Sequence, residues 1–480
     1  MNKKSRSRMF NRENAQNEID FLSRKDAKIC EWNGLELIVP PTVYPPREDT
    51  DLIHEVLKDL KPFGSKRLLE IGSGSGALSI AAALSGWTVD ACDINPYAVA
   101  ATQQNAQALD VNVRVSEGGI GPEEASSMMR AWNPGAYDVV LWNMPYIPPE
   151  EVHDQVLGPM EEAALIDTHP DGLLNVFARK MAQNKLCKMN GIAFVVCREY
   201  VGWKRSVDHF RQYGIASRIV QSIEFEDQES IHVIAAWHPF ISGKHHKVRE
   251  IDSTNAEMLR GEYNVGDSFV ATIQTDGRGR HGNHWQDHPD AFKASWMLDA
   301  ADLTTITPLK QLKLAQEIRS ALCFEKKHQE SMLTKWPNDL LLRCKQDSEW
   351  RKMGGILFQS FSRGSEQRLV VGIGINTTRQ ELQPGQASLD EIEIQKTPSE
   401  LYTIINAVVA SMFENKEGIR KQDDKDIFAV DSILSECIYR NHLCSVTTIN
   451  QHTMRIVNQH GQPFEIEDDD QISWKNLHPQ

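Results

Sequence analysis

The sequence predicts an open, mostly parallel α/β sheet at the start of the chain, with at least one further domain behind it. Three observations carry that prediction. The chain has 480 residues, more than one core usually serves. A strand, a glycine-rich turn and a helix follow one another over residues 67–84, the order of a nucleotide-type α/β unit. The run His238-Pro-Phe-Ile-Ser-Gly-Lys-His-His246 then breaks the periodicity and marks a domain boundary.

Composition bounds the function. Hydrophobic residues at 40% and charged residues at 25% describe an ordinary globular protein. A formal net charge of -14 argues against general nucleic-acid binding, so no specific nucleic-acid partner is expected and any anion site must be locally basic. The longest apolar run, over residues 77–84, is too short to span a bilayer, and no charged-then-apolar leader opens the chain. No membrane contact and a cytoplasmic location are the expectation. The 8 cysteines contain no Cys-x-x-Cys pair, which points to reduced thiols rather than a zinc ribbon or a disulfide framework. Residues 1–29 read as a polar leader.

In the first half, residues 35–39 read as a strand and Val43-Tyr-Pro-Pro-Arg-Glu-Asp-Thr50 as a rigid turn, with Asp49 or Thr50 placed to cap a helix over 51–60. A buried strand over 67–71 enters Gly72-Ser-Gly-Ser-Gly76, and a helix follows over 77–84. The strand over 88–92 ends in Asp93-Ile-Asn-Pro96, where a carboxylate could accept from two ribose hydroxyls. Tyr137-Asp-Val-Val-Leu-Trp142 runs into Asn143-Met-Pro-Tyr-Ile-Pro-Pro149. All three stretches fall at strand carboxyl ends, where open α/β sheets bind ligands. Residues 143–146 suit methyl transfer to a planar nitrogen: a carboxamide oxygen and a backbone carbonyl hold its protons while an aromatic ring stacks on its plane. An asparagine capping a strand-end turn is the plainer alternative.

Residues 43–237 resemble the HemK-type class I methyltransferases, which methylate the glutamine of release factors. The resemblance rests on the Pro-x-Arg-Glu-Asp-Thr-like turn, Leu69-Glu-Ile-Gly-Ser-Gly-Ser-Gly76, Asp93-Ile-Asn-Pro96, residues 143–149 and Asp171-Gly-Leu173. It implies a Rossmann-like domain over 30–238 that binds S-adenosylmethionine through Glu70, Gly72, Gly74, Gly76 and Asp93. It also implies a substrate site at Asn143, Met144, Pro145 and Tyr146, with Asn143 and Tyr146 catalytic. A translation release factor and a small zinc-binding activating subunit are the implied partners, because the short leader resembles the eukaryotic and archaeal branch. The family's Asn-Pro-Pro-Tyr is Asn-Met-Pro-Tyr here, and Ser116-Glu117-Gly118 stands where an acidic residue often follows the third strand.

A linker over 239–248 leads to the second half. Ser253 or Thr254 is placed to cap a helix over 256–259, and a β-rich run over 269–274 delivers the chain into Gln274-Thr-Asp-Gly-Arg-Gly-Arg-His-Gly-Asn-His-Trp285. Gly277, Gly279 and Gly282 alternate there with Arg278 and Arg280, which suits a loop folding over an anion. A strand over 294–298 and a helix over 309–322 follow, then Lys335-Trp-Pro-Asn-Asp339, Arg351-Lys-Met-Gly-Gly-Ile-Leu357 and Val371-Gly-Ile-Gly-Ile-Asn376. His245, His246, His281, His284 and His288 lack the companions of a metal set, and none is assigned as a ligand.

From about residue 248 to the end, the chain resembles the biotin protein ligases of the BirA type, through Asp252-Ser-Thr-Asn255 and the four stretches just quoted. The whole chain is thus expected to be an α/β Rossmann-like methyltransferase domain, then an α+β biotin protein ligase catalytic domain over 249–435, then a small C-terminal β-barrel over 436–480. By resemblance, Ser253, Thr254, Gln274 and Arg278 contact biotin, Arg280 holds the activated intermediate, and Lys352 bridges carboxylate and phosphate. Asn376 lies near the nucleotide, and Asn255, Gly277, Gly279, Lys335, Trp336, Asn338, Asp339, Gly354 and Gly355 complete the biotin and ATP set, with Arg280 and Lys352 catalytic. The family commonly has a further basic residue where Asn283 stands. The implied reaction joins biotin to ATP with Mg²⁺ assistance, giving biotinyl-adenylate, and passes biotin to a lysine on the biotin carrier domain of a carboxylase. A bifunctional enzyme is expected; the alternative is a ligase whose first domain is a non-catalytic partner-binding module.

Overall fold

The computed structural model describes residues 24–120, 137–147, 164–199, 205–225, 230–279, 284–285, 287–288, 290–305, 308–335, 338–344, 349–364, 366–380, 382–419, 434–439, 442–450, 453–458 and 463–464. The chain divides into two compact units, a first running to His238 and including residues 416–420, and a second that holds Pro239–Asn415 and the residues from Lys421 on.

The first unit holds a hairpin, β1 (Lys28–Trp32) with β2 (Leu35–Val39), and a seven-stranded sheet. The sheet strands are β3 (Arg67–Ile71), β4 (Thr88–Asp93), β5 (Val113–Glu117), β6 (Tyr137–Asn143), β7 (Cys187–Glu199), β8 (Ala216–Glu224) and β9 (Ser230–Trp237), in the order β5-β4-β3-β6-β7-β9-β8. β5, β4, β3, β6 and β7 are parallel, and β9 runs antiparallel between β7 and β8. The six residues from Tyr137 to Trp142 are all buried, as a central parallel strand covered on both faces requires. From β3 the strand order runs one way to β4 and from β6 the other way to β7, so the crevice at their carboxyl ends is a topological switch point.

Among the described residues this unit has five helices: α1 (Glu48–Asp59), α2 (Ala77–Leu84), α3 (Pro96–Ala108), α4 (Leu173–Ala182) and α5 (Ser206–Gln212). α3 starts as its sequence dictates, with Asn95 accepting from the Tyr97 N–H at 2.9 Å and Pro96 in the first turn. α1 corrects an expectation. It opens at Glu48 rather than at 51, because Arg47 takes the cap position and its N–H donates to Thr50 Oγ1 at 3.2 Å. Asp49, expected as a cap, is instead buried in the first turn.

In the second unit the described strands form one mixed sheet. They are β10 (His245–Ile251), β11 (Ser268–Gln274), β12 (Phe292–Leu298), β13 (Met332–Lys335), β14 (Asp339–Leu342), β15 (Arg351–Arg363), β16 (Glu366–Ile375), β17 (Leu434–Tyr439), β18 (His442–Asn450), β19 (Thr453–Asn458) and β20 (Pro463–Phe464). Their order is β10-β11-β12-β16-β15-β14-β13-β17-β18-β19-β20. The helices among the described residues are α6 (Thr254–Arg260), α7 (Pro308–Leu322) and α8 (Pro398–Phe413). α8 begins with a capping box, Thr397 with Glu400, and Pro398 at its first position. Phe292, Trp296, Ile318, Ile356, Val371 and Ile405 belong to the core between sheet and helices. Residues 245–248, expected in a linker, instead pair in parallel with residues 268–271. Over the described residues the segment expected as a β-barrel forms a ladder, β17 to β20, each strand antiparallel to the one before, with β17 alongside β13. Among the described residues no helix is long and apolar enough to cross a membrane, and Cys30, Cys92, Cys187, Cys197, Cys323 and Cys344 are free thiols.

Candidate active sites

At the switch point of the first unit lies a cavity of about 460 Å³. Of the sequence-predicted residues, Glu70, Gly72, Gly74, Asp93, Asn143, Met144, Pro145 and Tyr146 all line it. Gly76 does not. Its φ of +84° and the 2.8 Å approach that a Cβ would make to Thr102 Cγ2 make it a packing glycine that seats α2 against α3.

The loop between β3 and α2 is tied to the end of β4. The Gly72 and Ser73 N–H groups donate to the Cys92 carbonyl at 2.8 and 3.1 Å, and the Gly74 N–H donates to Asp93 Oδ2 at 2.9 Å. Asp93 Oδ1 accepts from the Asn95 N–H at 2.9 Å. Burial raises the Asp93 pKa against the pull of these backbone donors, so its carboxyl is held in place at the cavity wall. Burial likewise pushes Glu70 up to about 8, opposed by the hydrogen bond that Ser79 Oγ donates to its carboxyl group.

Asn143 ends β6, and its Oδ1 is buried with no hydrogen-bond partner. Met144 is buried, and Tyr146 packs against Ile147, Leu165 and Ile166. The sequence reading missed Asp49 as a site residue: it lines the same cavity and accepts from Tyr146 Oη at 3.3 Å. The only signal for it was its place in the Pro-x-Arg-Glu-Asp-Thr-like turn, which local rules read as a cap.

In the second unit Ser253 caps α6, its Oγ accepting from the Ala256 N–H at 3.4 Å. Thr254 donates to Gln274 Oε1 twice, from N at 2.8 Å and from Oγ1 at 3.0 Å. Ser295 Oγ stands 2.7 Å from Thr254 Oγ1 and 2.6 Å from Asn255 Oδ1, with one hydroxyl proton shared between these two acceptors, and Asn255 Nδ2 donates to Gln359 Oε1 at 2.9 Å. Asp287 anchors Gln274 through the backbone N–H at 3.0 Å and pairs with the buried Lys293 at 2.7 Å. Burial lowers the Lys293 pKa, opposed by Asp287. Ser295, Gln359, Asp287 and Lys293 were not read from the sequence, although Lys293 and Ser295 interrupt an otherwise apolar strand.

Gly277 accepts from the Trp285 N–H at 2.8 Å, which folds the glycine and arginine loop back on itself. Trp285 in turn lies on β16: a Cβ at Gly374 would come within 2.8 Å of its Cζ2, so only glycine leaves the indole room there. Arg278 is half exposed, 3.6 Å from Asp276. Gly279 is the last residue before the gap in description, and Arg280, His281, Gly282 and Asn283 lie outside the described residues, as does Trp336.

Lys335 is buried at the end of β13, and Asn338 Nδ2 donates to the Ile356 carbonyl at 2.8 Å. Lys352 Nζ stands 2.7 Å from Asp339 Oδ1 and 5.9 Å from the Trp285 ring. Gly355 pairs with Asp339, and Gly354 with Leu340, which leaves the strand bare beside that ion pair. Ala387 joins Lys352 to Asn376: its N–H donates to the Lys352 carbonyl at 2.9 Å, and its carbonyl accepts from Asn376 Nδ2 at 3.1 Å. Asn376 Oδ1 is buried without a partner. Among the described residues no group of three His, Cys, Asp or Glu side chains could hold a metal ion.

Family comparison agrees with this division. Residues 48–198 match the methyltransferase small domain, and residues 247–376 match the biotin/lipoate A/B protein ligase family. A candidate protein N5-glutamine methyltransferase of Methanocaldococcus jannaschii is 31% identical over 212 residues, covering 44% of this chain and 98% of that protein. The bifunctional ligase/repressor BirA of Salmonella typhimurium is 32% identical over 176 residues, covering 35% of this chain and 50% of that protein's length. A solved structure of biotin protein ligase from Aquifex aeolicus in complex with biotin and ATP is 21% identical and covers 46% of this chain and 95% of that chain, with a TM-score of 0.35. The chain belongs to the protein glutamine methyltransferase family through its first unit and carries in its second a domain of the biotin/lipoate A/B protein ligase family, the two fused in one polypeptide.

Proposed function

We propose that the chain is a bifunctional cytoplasmic enzyme that biotinylates a carrier-protein lysine and methylates a protein glutamine. One observation carries both halves: each site has a carboxamide oxygen that is buried and unsatisfied, Asn143 Oδ1 in one and Asn376 Oδ1 in the other. A buried acceptor without a donor costs about 1–3 kcal/mol, so each site is incomplete until a ligand N–H arrives. In the first the donor is the substrate amide, and in the second the amino group of a purine.

For methyl transfer, S-adenosylmethionine supplies a methyl group on a sulfonium cation. Asp93, Glu70 and the loop at Gly72 and Gly74 are the residues placed to hold it, and the cavity they line fits such a ligand. Asn143 Oδ1 and the Met144 carbonyl hold the amide protons, Tyr146 stacks on the amide plane, and the nitrogen faces the methyl group; orientation of this kind supplies part of the rate. Pro145 stiffens the turn.

For biotin transfer, Ser253, Thr254, Asn255, Gln274 and Arg278 bind biotin, while Lys335, Trp336, Asn338, Asp339, Gly354, Gly355 and Asn376 bind ATP. Lys352 with Arg280 stabilises the charge that gathers as the biotin carboxylate attacks the α-phosphate and the bond to the β-phosphate breaks, giving biotinyl-adenylate and releasing pyrophosphate. Gly277 and Gly279 let the loop close and exclude water. Mg²⁺ enters with the phosphates. The acceptor is a lysine of a carboxylase's biotin carrier domain; for the first unit it is a translation release factor, with a small zinc-binding subunit as activator. The ladder β17–β20 forms part of a small barrel over 436–480, behind a catalytic domain over 249–435.

Mass spectrometry of cellular proteins with and without this chain tests the proposal. Loss of both lysine biotinylation and glutamine methylation is expected, and no change in either overturns it. Met144, standing where the family has proline, favours a second reading in which the first unit only binds a partner. Calorimetry of the full chain with S-adenosylmethionine separates them: no binding, and no effect of Asp93→Ala, supports the binding module.

A further inference from the structure

Asp49 sits at the second position of α1, 5% exposed, on the wall of the cavity that holds Asn143 and Tyr146. Its Oδ1 accepts from the Thr50 N–H at 2.7 Å and from Thr50 Oγ1 at 3.3 Å, and its Oδ2 accepts from Tyr146 Oη at 3.3 Å. Burial raises the Asp49 pKa, and hydrogen bonding from the Asn143 side chain, Thr50 and Tyr146, all beside it at the cavity wall, pulls it back down. A carboxylate only accepts, and the donors of a carboxamide are all on its nitrogen. The bond from Asn143 therefore turns its Nδ2 toward Asp49 and leaves Oδ1 free, and Oδ1 is the atom found buried and unpartnered. Oxygen and nitrogen of a carboxamide are close in size, so hydrogen bonding and not shape decides which way the group faces.

We infer that Asp49 is the positioning residue that sets the specificity of the first site for a carboxamide over a carboxylate. By claiming the Asn143 amino group, it makes the side chain present an acceptor. A glutamine side chain has an N–H to offer that acceptor, whereas an ionised glutamate brings a second acceptor and is rejected. Through Tyr146 Oη the same carboxylate fixes the other end of the turn. The assignment rests on the methyl-transfer reading, and its test reads binding preference, which a merely structural role would not move.

Calorimetry of the full chain with S-adenosylhomocysteine compares a glutamine-bearing peptide with its glutamate counterpart. The wild-type chain is expected to prefer glutamine by about 10- to 100-fold, the range set by one buried unsatisfied polar group. In Asp49→Asn the new amide group can donate to Asn143, the Asn143 side chain turns over, and the preference should fall to within about threefold or invert. Combining Asp49→Asn with Asn143→Asp restores an acceptor facing the substrate, and the glutamine preference should return to at least about tenfold. Equal weakening of both peptides in Asp49→Asn, with the thermal transition unchanged, overturns the assignment, as does an unaltered preference. Binding of neither peptide by the wild-type chain overturns the glutamine reading itself, and the assignment with it.

Discussion

The two sites solve opposite electrostatic problems. In the first unit three carboxyl groups line the cavity, Asp49 and Glu70 buried and Asp93 partly buried, each restrained by hydroxyl, amide or backbone donors. In the second unit the lysines come already paired, Lys352 with Asp339 and Lys293 with Asp287. A site rich in buried carboxyls suits a cationic ligand. Lysines held by carboxylates suit an anionic ligand that takes one of them over. Desolvation therefore stores readiness for positive charge in one site, and ion pairing stores readiness for negative charge in the other.

Breaking the second arrangement gives the largest expected effect. Lys352→Ala should slow biotinyl-adenylate formation by about 10²- to 10³-fold, the range for losing a group that stabilises transition-state charge, measured by pyrophosphate release. Wild-type rates in that variant would remove Lys352 from the reaction. Asp287→Ala strands the buried Lys293, which among the described residues keeps the Thr272 and His288 carbonyls as acceptors. It should lower the stability of the second unit by about 3 kcal/mol in a denaturant titration.

In the first unit, Asp93→Ala should weaken S-adenosylhomocysteine binding about 10- to 100-fold by calorimetry, through loss of a charged acceptor. Glu70 sharpens the contrast through pH. Its folded value of about 8 lies above the ordinary 4.5, so the folded chain keeps a proton that the unfolded chain releases within that window. The stability it contributes is full below pH 4.5 and lost as pH rises toward 8, and Glu70→Gln should flatten that decline in thermal melts across the window. The smallest effect belongs to a surface network. Arg260 bonds Asp252 and Glu257 but is half exposed, and Arg260→Ala should cost less than about 1 kcal/mol in denaturant titrations.

What the sequence revealed was local. The strand at Arg67–Ile71 and the helix at Ala77–Leu84 match their expected bounds because a buried apolar run, a glycine turn and a small-residue helix each follow from neighbouring residues. Ser253 was legible as a cap for the same reason. Asp49 was not, because the bond that brings it into the site comes from Tyr146, 97 residues away. Gly76 shows the reverse error: its place in a cofactor motif suggested ligand contact, while its real constraint is Thr102, on another helix. The polar residues of β12 were overlooked because a lysine in an apolar strand becomes intelligible only once its carboxylate partner is known.

The central claim is that two independent chemistries share one chain, each with its own determinant. It is tested most directly by intact-mass measurement of a biotin carrier domain and a release factor, incubated together with ATP, Mg²⁺, biotin, S-adenosylmethionine and the full chain. The wild-type chain should modify both acceptors, Lys352→Ala should leave only the methylated release factor, and Asn143→Ala should leave only the biotinylated carrier. Loss of both products in either variant, or of neither, would contradict the account.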